Sequence, residues 1–184
     1  MRKEAVKVRE VEAAVRANNF NEVVVGYNEE ETLVEASRCL QCKNPVCISG
    51  CPVGIDIKKF IFQITQKDYK GAYFTIREKN NFPSICGRVC PAEYQCRKTC
   101  VMTKKGEPFA SANAINVHFL ERFVGDYGMK NNLEVSTEGK NKLSRFKVAV
   151  VGSGPAGLCY REFHLSFYLR KKVNCRALHP KNAY

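Results

Sequence analysis

Eight cysteines fall in two tight runs, and that spacing constrains the chain more than any other feature. Cys39, Cys42, Cys47 and Cys51 read C-x2-C-x4-C-x3-C-P. Cys86, Cys90, Cys96 and Cys100 read C-x3-C-P-x4-C-x3-C. Thiolates at such short spacings can close around a soft metal centre without long loops. Pro52 and Pro91 each follow a cysteine directly, a flank seen in bacterial ferredoxin runs. In those two-cluster proteins the last cysteine of a run serves the other cluster. The natural reading is two 4Fe–4S clusters with exchanged ligands. Structural zinc favours two neat C-x2-C pairs per site, and only Cys39 and Cys42 form one. Disulfides need an oxidising compartment.

The N-terminus, MRKEAVKVREVEAAVR, is charged throughout and shows no apolar core of a secretory signal. No apolar run reaches the roughly 20 residues of a transmembrane helix. A cytoplasmic setting and no membrane partner follow as expectations. Ten cysteines in a reducing compartment then need a reason other than disulfides. The net charge of +12 permits nucleic acid or an acidic partner. Its distribution weakens the first. Arg161, Arg170, Lys171, Lys172, Arg176 and Lys181 face only Glu162 beyond Leu158, while signs are interspersed elsewhere. No basic helix or basic–aromatic array marks a nucleic-acid reader.

The pattern is mainly helical. The first 20 residues read as a polar helix broken at Asn18-Asn19. Asn28, with Glu31 three residues on, forms a capping-box signature for a helix to about Leu40. Asp56 and Asp68 can cap two more helices, IKKFIFQITQ and YKGAYFTIREKN. The second of these ends at Asn81-Phe82-Pro83, and Cys86 to Cys100 reads as a loop. A helix over about 114–127 gathers Ile115, Phe119, Leu120, Phe123 and Val124. Residues 129–144 read as a polar linker, and FKVAVV as a buried parallel strand. Gly152, Ser153, Gly154, Pro155, Ala156 and Gly157 follow, matching G-x-G-x-x-G, which brings a helix N-terminus to a pyrophosphate. Two domains are expected: a helical one over 1–140 and a Rossmann-type start over 146–184.

Taken in order, CLQCKNPVCISGCPVGIDI, CGRVCPAEYQCRKTCV, LERF and VVGSGPAG resemble the N-terminal half of the glutamate synthase small subunit. The same module occurs in the large subunit of NADH-dependent ferredoxin:NADP oxidoreductase and in dihydropyrimidine dehydrogenase. The resemblance implies an all-helical domain with two 4Fe–4S clusters ahead of a flavoprotein that binds FAD and NAD(P)H. It implies that Cys39, Cys42, Cys47 and Cys100 hold one cluster. Cys51, Cys90 and Cys96 would hold the other, with an oxygen ligand falling on Glu121. Spacing alone would let Cys86 take that place, and the two stay open here. Arg88 and Lys98 could offset cluster charge or simply be solvated. His118 reads as a helix-surface residue. Without the resemblance, Glu121 itself reads as a surface acid.

Beyond Gly157 the chain departs from the family. The Lys172–Leu178 region lacks the acid that binds a ribose, and Tyr160 and Phe163 stand where small helix residues belong. A truncated or frameshifted reading frame is expected, with a tail foreign to the fold. One strand, a loop and part of a helix cannot enclose a dinucleotide, so FAD and NAD(P)H binding belong to full-length relatives. The expected function is electron relay between a flavin and a flavin- or iron–sulfur-containing partner subunit. A zinc-stabilised basic binding module and a decayed gene product are the competing readings.

Overall fold

The computed structural model describes residues 4–103, 106, 108–133, 151–152 and 154–160. Contacts divide the chain into two units, Met1–Glu134 and Val135–Tyr184. The first is mainly helical. Its helices are α1 (Ala13–Arg16), α2 (Glu29–Ser37), α3 (Val46–Ser49), α4 (Ile57–Thr65), α5 (Tyr69–Arg77), α6 (Pro83–Val89) and α7 (Val117–Lys130). Two short strands, β1 (Arg9–Glu10) and β2 (Val24–Gly26), pair antiparallel. Of the second unit, the described residues are a loop at Val151, Gly152 and Gly154 and a helix α8 (Pro155–Tyr160). The FKVAVV strand, the polar linker and the basic tail lie largely or wholly outside the described residues.

The caps read from sequence set the helix starts. Asn28 Oδ1 accepts from Glu31 N and Glu31 Oε2 accepts from Asn28 N, both at 2.8 Å, which closes the capping box. Asp56 accepts from Lys59 N at 3.0 Å and Asp68 from Gly71 N at 2.8 Å. Ile57, Phe60, Ile61 and Ile64 recur at helical spacing along α4 and bury one face. Ala72, Tyr73 and Ile76 of α5 and Leu120 and Val124 of α7 complete the core.

Two glycines let α6 cross α7 at backbone contact. A Cβ on Gly87 would stand 2.6 Å from Arg122 Cα, and one on Gly125 would stand 2.5 Å from Ser84 N. Pro83 opens α6 at a position where its missing N–H costs nothing. The sequence predicts a loop from Cys86, and the structure corrects this with α6, which runs on to Val89. A seven-residue helix interrupted by glycine has little propensity of its own, and packing on α7 supplies its stability.

The N-terminal segment is the second correction. Among the described residues there only Ala13–Arg16 is helical, and Asn18 and Asn19 end it by donating to Ala14 O and Val15 O at 2.9 and 2.7 Å. Ahead of it the described residues hold no helix, and Arg9–Glu10 form β1. Val6 is buried, its N–H donates to Glu35 Oε2 at 2.8 Å, and its carbonyl accepts from Tyr27 Oη at 2.5 Å. Tertiary bonds of this kind override local helix propensity.

Candidate iron–sulfur site

The cysteines sit at element ends. Cys39 lies one residue past the Arg38 cap of α2, Cys47 lies on α3, and Cys51 follows it. Cys86 is on α6, Cys90 caps it, and Cys96 and Cys100 lie in the turns beyond a 3-10 turn at Ala92–Tyr94. The two loops touch at Gly50, where a Cβ would stand 3.2 Å from Cys96 Cα and 2.3 Å from Thr99 Oγ1. Glycine is what allows that approach.

Cys39, Cys42, Cys47 and Cys100 line one cavity, walled by Ile57 and Ile61 of α4 and by Met102, Ile115 and Val117. Cys100 therefore joins three cysteines of the other run. Burial raises the Cys39 thiol and pushes Cys47 up to about 11, with the neighbouring thiols Cys100, Cys39 and Cys42 adding to the rise at Cys47. Such thiols are poor nucleophiles and stay protonated unless a cation replaces the proton.

Cys51, Cys90, Cys96 and Glu121 come together in a second gathering, with Cys86 also beside Cys90. Burial pushes Cys96 up to about 12, and Cys51, Cys90 and Glu121 add to it. Burial likewise pushes Cys90 up to about 11, with Glu121, Cys51 and Cys86 adding. Glu121 is 6% exposed, so it is no surface acid. Burial pushes its carboxyl up to about 7, and the Asn80 amide draws it back down. Asn80 Nδ2 donates to Glu121 Oε1 at 2.6 Å.

The LERF string spends each side chain differently. Leu120 is in the core, Glu121 faces the cysteines, and Phe123 packs edge-on against Tyr69 at 5.3 Å. Arg122 donates to Val24 O and Val25 O at 2.9 and 3.2 Å, which fastens β2 to α7.

Arg88, which the sequence reads as either offsetting cluster charge or solvated, is paired with two acids. It donates to Asp126 at 2.8 and 2.9 Å and to Glu22 at 2.7 Å, clamping α6 to α7. Lys98 is exposed. His118 is half-buried rather than on the surface, its ring 4.0 Å from that of Phe119. Burial, helped by Arg97, pushes it down to about 4. The glycine loop is described in part. Gly152 has φ +107°, a conformation glycine favours, and Pro155, Ala156 and Gly157 open α8. Ser153 lies outside the described residues.

Three residues that matter here escaped the sequence reading. Glu35 and Arg38 form a buried pair at 2.5 Å, and Glu35 also accepts from Val6 N and Asn116 N at 2.8 Å. They hold α2, and so Cys39, against the N-terminal segment and the start of α7. Asn80, which the sequence places at a helix end, lies beyond α5. Its only sequence signal was the Asn-Asn-Phe-Pro punctuation.

The donor set suits an iron–sulfur cluster. Four soft thiols facing an apolar cavity match the ligand chemistry of Fe–S centres. Gln41, between Cys39 and Cys42, has φ +48°, and both its backbone and its side-chain amide bear on the Cys39 thiol, favouring the thiolate. Among the described residues no three His, Cys, Asp or Glu side chains are placed to hold a single metal ion.

Residues 16–133 match the family described as dihydropyrimidine dehydrogenase domain II, 4Fe-4S cluster. The chain belongs to that family, and its helical unit is the 4Fe–4S domain of that class of oxidoreductases. The NAD-dependent dihydropyrimidine dehydrogenase subunit PreT of Escherichia coli (strain K12) is 37% identical over 141 residues, 77% of this chain and 32% of that protein. The PreT homolog of Salmonella typhi is 36% identical over the same shares. The glutamate synthase (NADPH) small chain of Azospirillum brasilense is 30% identical over 150 residues, 82% of this chain and 30% of that protein. The chain thus spans about a third of the length of the curated relatives it matches. Among the described residues no helix is long and apolar enough to cross a membrane.

Proposed function

We propose that the helical unit is an electron relay holding two 4Fe–4S clusters. Cys39, Cys42, Cys47 and Cys100 bind the first, and Cys51, Cys90, Cys96 and Glu121 the second. When bound, such clusters supply one-electron redox chemistry. The protein's own work is to aim the ligands, exclude water and set the local charge. Ile57, Ile61, Ile115 and Val117 form a dry wall at the first site. The buried Glu35–Arg38 pair fixes the end of α2 from which Cys39 departs. Glu121 brings one oxygen donor to an otherwise thiol site, and ligand type tunes cluster potential.

The observation that carries this reading is the exchange between runs. Cys100 of the second run lines the cavity of Cys39, Cys42 and Cys47, while Cys51 of the first run acts on Cys90 and Cys96. Two independent single-run sites would need no such exchange.

In the same reading, residues 146–184 begin an FAD- or NAD(P)-binding Rossmann-type domain. Gly152, Ser153, Gly154, Pro155, Ala156 and Gly157 form its pyrophosphate loop. The electrons come from a reduced nicotinamide through a flavin and pass to a flavin- or iron–sulfur-containing partner subunit. A glutamate synthase or pyrimidine-reducing assembly in the cytoplasm is the setting. The test is anaerobic reconstitution with iron and sulfide. A broad visible band that dithionite bleaches reversibly supports the relay; its absence overturns it.

A further inference from the structure

Asn80 joins the two residues that compete for the fourth place at the second site. It is 7% exposed and follows α5, its N–H donating to Ile76 O at 2.9 Å. Its side-chain amide touches three groups. Oδ1 accepts from Phe82 N at 2.9 Å and from Cys86 Sγ at 3.5 Å, while Nδ2 donates to Glu121 Oε1 at 2.6 Å. A backbone N–H can only donate, so Phe82 fixes Oδ1 as the acceptor end and turns Nδ2 to Glu121.

The two ends of that amide treat the competitors oppositely. The donor end holds a carboxylate by one oxygen and leaves Oε2 to reach a metal. The acceptor end engages the Cys86 thiol through its S–H. We propose that Asn80 is a positioning residue that selects Glu121 over Cys86 as the fourth ligand of the second cluster. The inference rests on the Glu121 assignment of the proposed function. Removing the amide takes from each group the hydrogen bond that holds it in this arrangement. Thiolate is the better ligand for iron in such clusters. Cys86 then gives its proton to the buffer as an iron–oxygen bond is exchanged for an iron–sulfur bond.

The experiment uses the full chain reconstituted anaerobically, with iron content, electron paramagnetic resonance of the reduced protein, and midpoint potentials as readouts. Asn80→Leu is expected to keep about the same iron, change the second cluster's resonance and lower its potential. Adding Cys86→Ser to Asn80→Leu is expected to abolish that lowered-potential signal, while Cys86→Ser alone leaves the wild-type spectrum in place. Asn80→Asp, nearly isosteric, keeps the bonds to Phe82 and Cys86 but sets carboxylate against carboxylate. It is expected to lose the wild-type signal even where Asn80→Leu fails to fold. If Glu121→Ala changes the spectrum and neither Asn80 variant does, the selection role is overturned and the ligand assignment stands. If Glu121→Ala leaves the spectrum unchanged, the ligand assignment and the selection role both fall.

Discussion

Gly87→Ala tests how the fold builds the second site. A Cβ at this position would lie 2.6 Å from both Cα and N of Arg122, and ordinary contact begins at 3.4 Å. Neither atom belongs to a side chain that could swing away, so α6 and α7 must part by about 0.8 Å. Overpacking of this kind costs about 1–3 kcal/mol, and backbone against backbone belongs at the upper end. Alanine recovers up to about 1 kcal/mol of helix propensity over glycine. The expected net loss is therefore about 2 kcal/mol. The same displacement moves Cys86 of α6 and its cap Cys90 away from Glu121 on α7. An anaerobic urea titration followed by circular dichroism reads the stability, and iron analysis reads the site. Val89→Ala, on the same helix and 72% exposed, is the control. The expected variant is less stable than the control and loses iron from the second site while the first keeps its own. Equal stability and equal iron in the two variants would refute the close-crossing argument.

Other outcomes follow from the same geometry. Glu35→Ala takes the carboxylate from the Arg38 guanidinium, 1% exposed, which still donates to Asn113 O at 2.6 Å, and breaking such a buried pair costs about 3–5 kcal/mol; chemical denaturation reads it, and a loss under about 1 kcal/mol would mean the pair is not buried in solution. Asp68→Ala removes the cap of α5 and should cost about 1 kcal/mol by the same assay. His118 is held near pH 4 against 6.5 unfolded, so the unfolded chain takes up more protons between those values. Its contribution is full above pH 6.5 and is lost as pH falls toward 4. At about 1.4 kcal/mol per pH unit the ceiling is roughly 3 kcal/mol, and His118→Gln should flatten the stability–pH curve across that window.

Much of this architecture can be read from the residues, because it is local. The caps at Asn28, Asp56 and Asp68 act within three residues, and the apolar stripe of α4 repeats within two turns. What escaped reading is long-range. The N-terminal segment owes its shape to Glu35 and Tyr27, more than 20 residues away. Helix α6 exists because Gly87 and Gly125 admit it to the face of α7, and nothing in its own composition announces that. Cysteine spacing marked a metal site, yet no spacing rule shows that Arg88 serves Glu22 and Asp126 instead. The burial of Glu121 and its tie to Asn80 likewise join positions 41 residues apart.

The most direct test of the central claim is anaerobic iron, zinc and acid-labile sulfide analysis of the purified chain, read beside its visible spectrum. Two four-iron clusters predict about eight iron and eight sulfide per chain, with colour that dithionite bleaches. Zinc bound without sulfide, in a colourless protein, would contradict the electron-relay account.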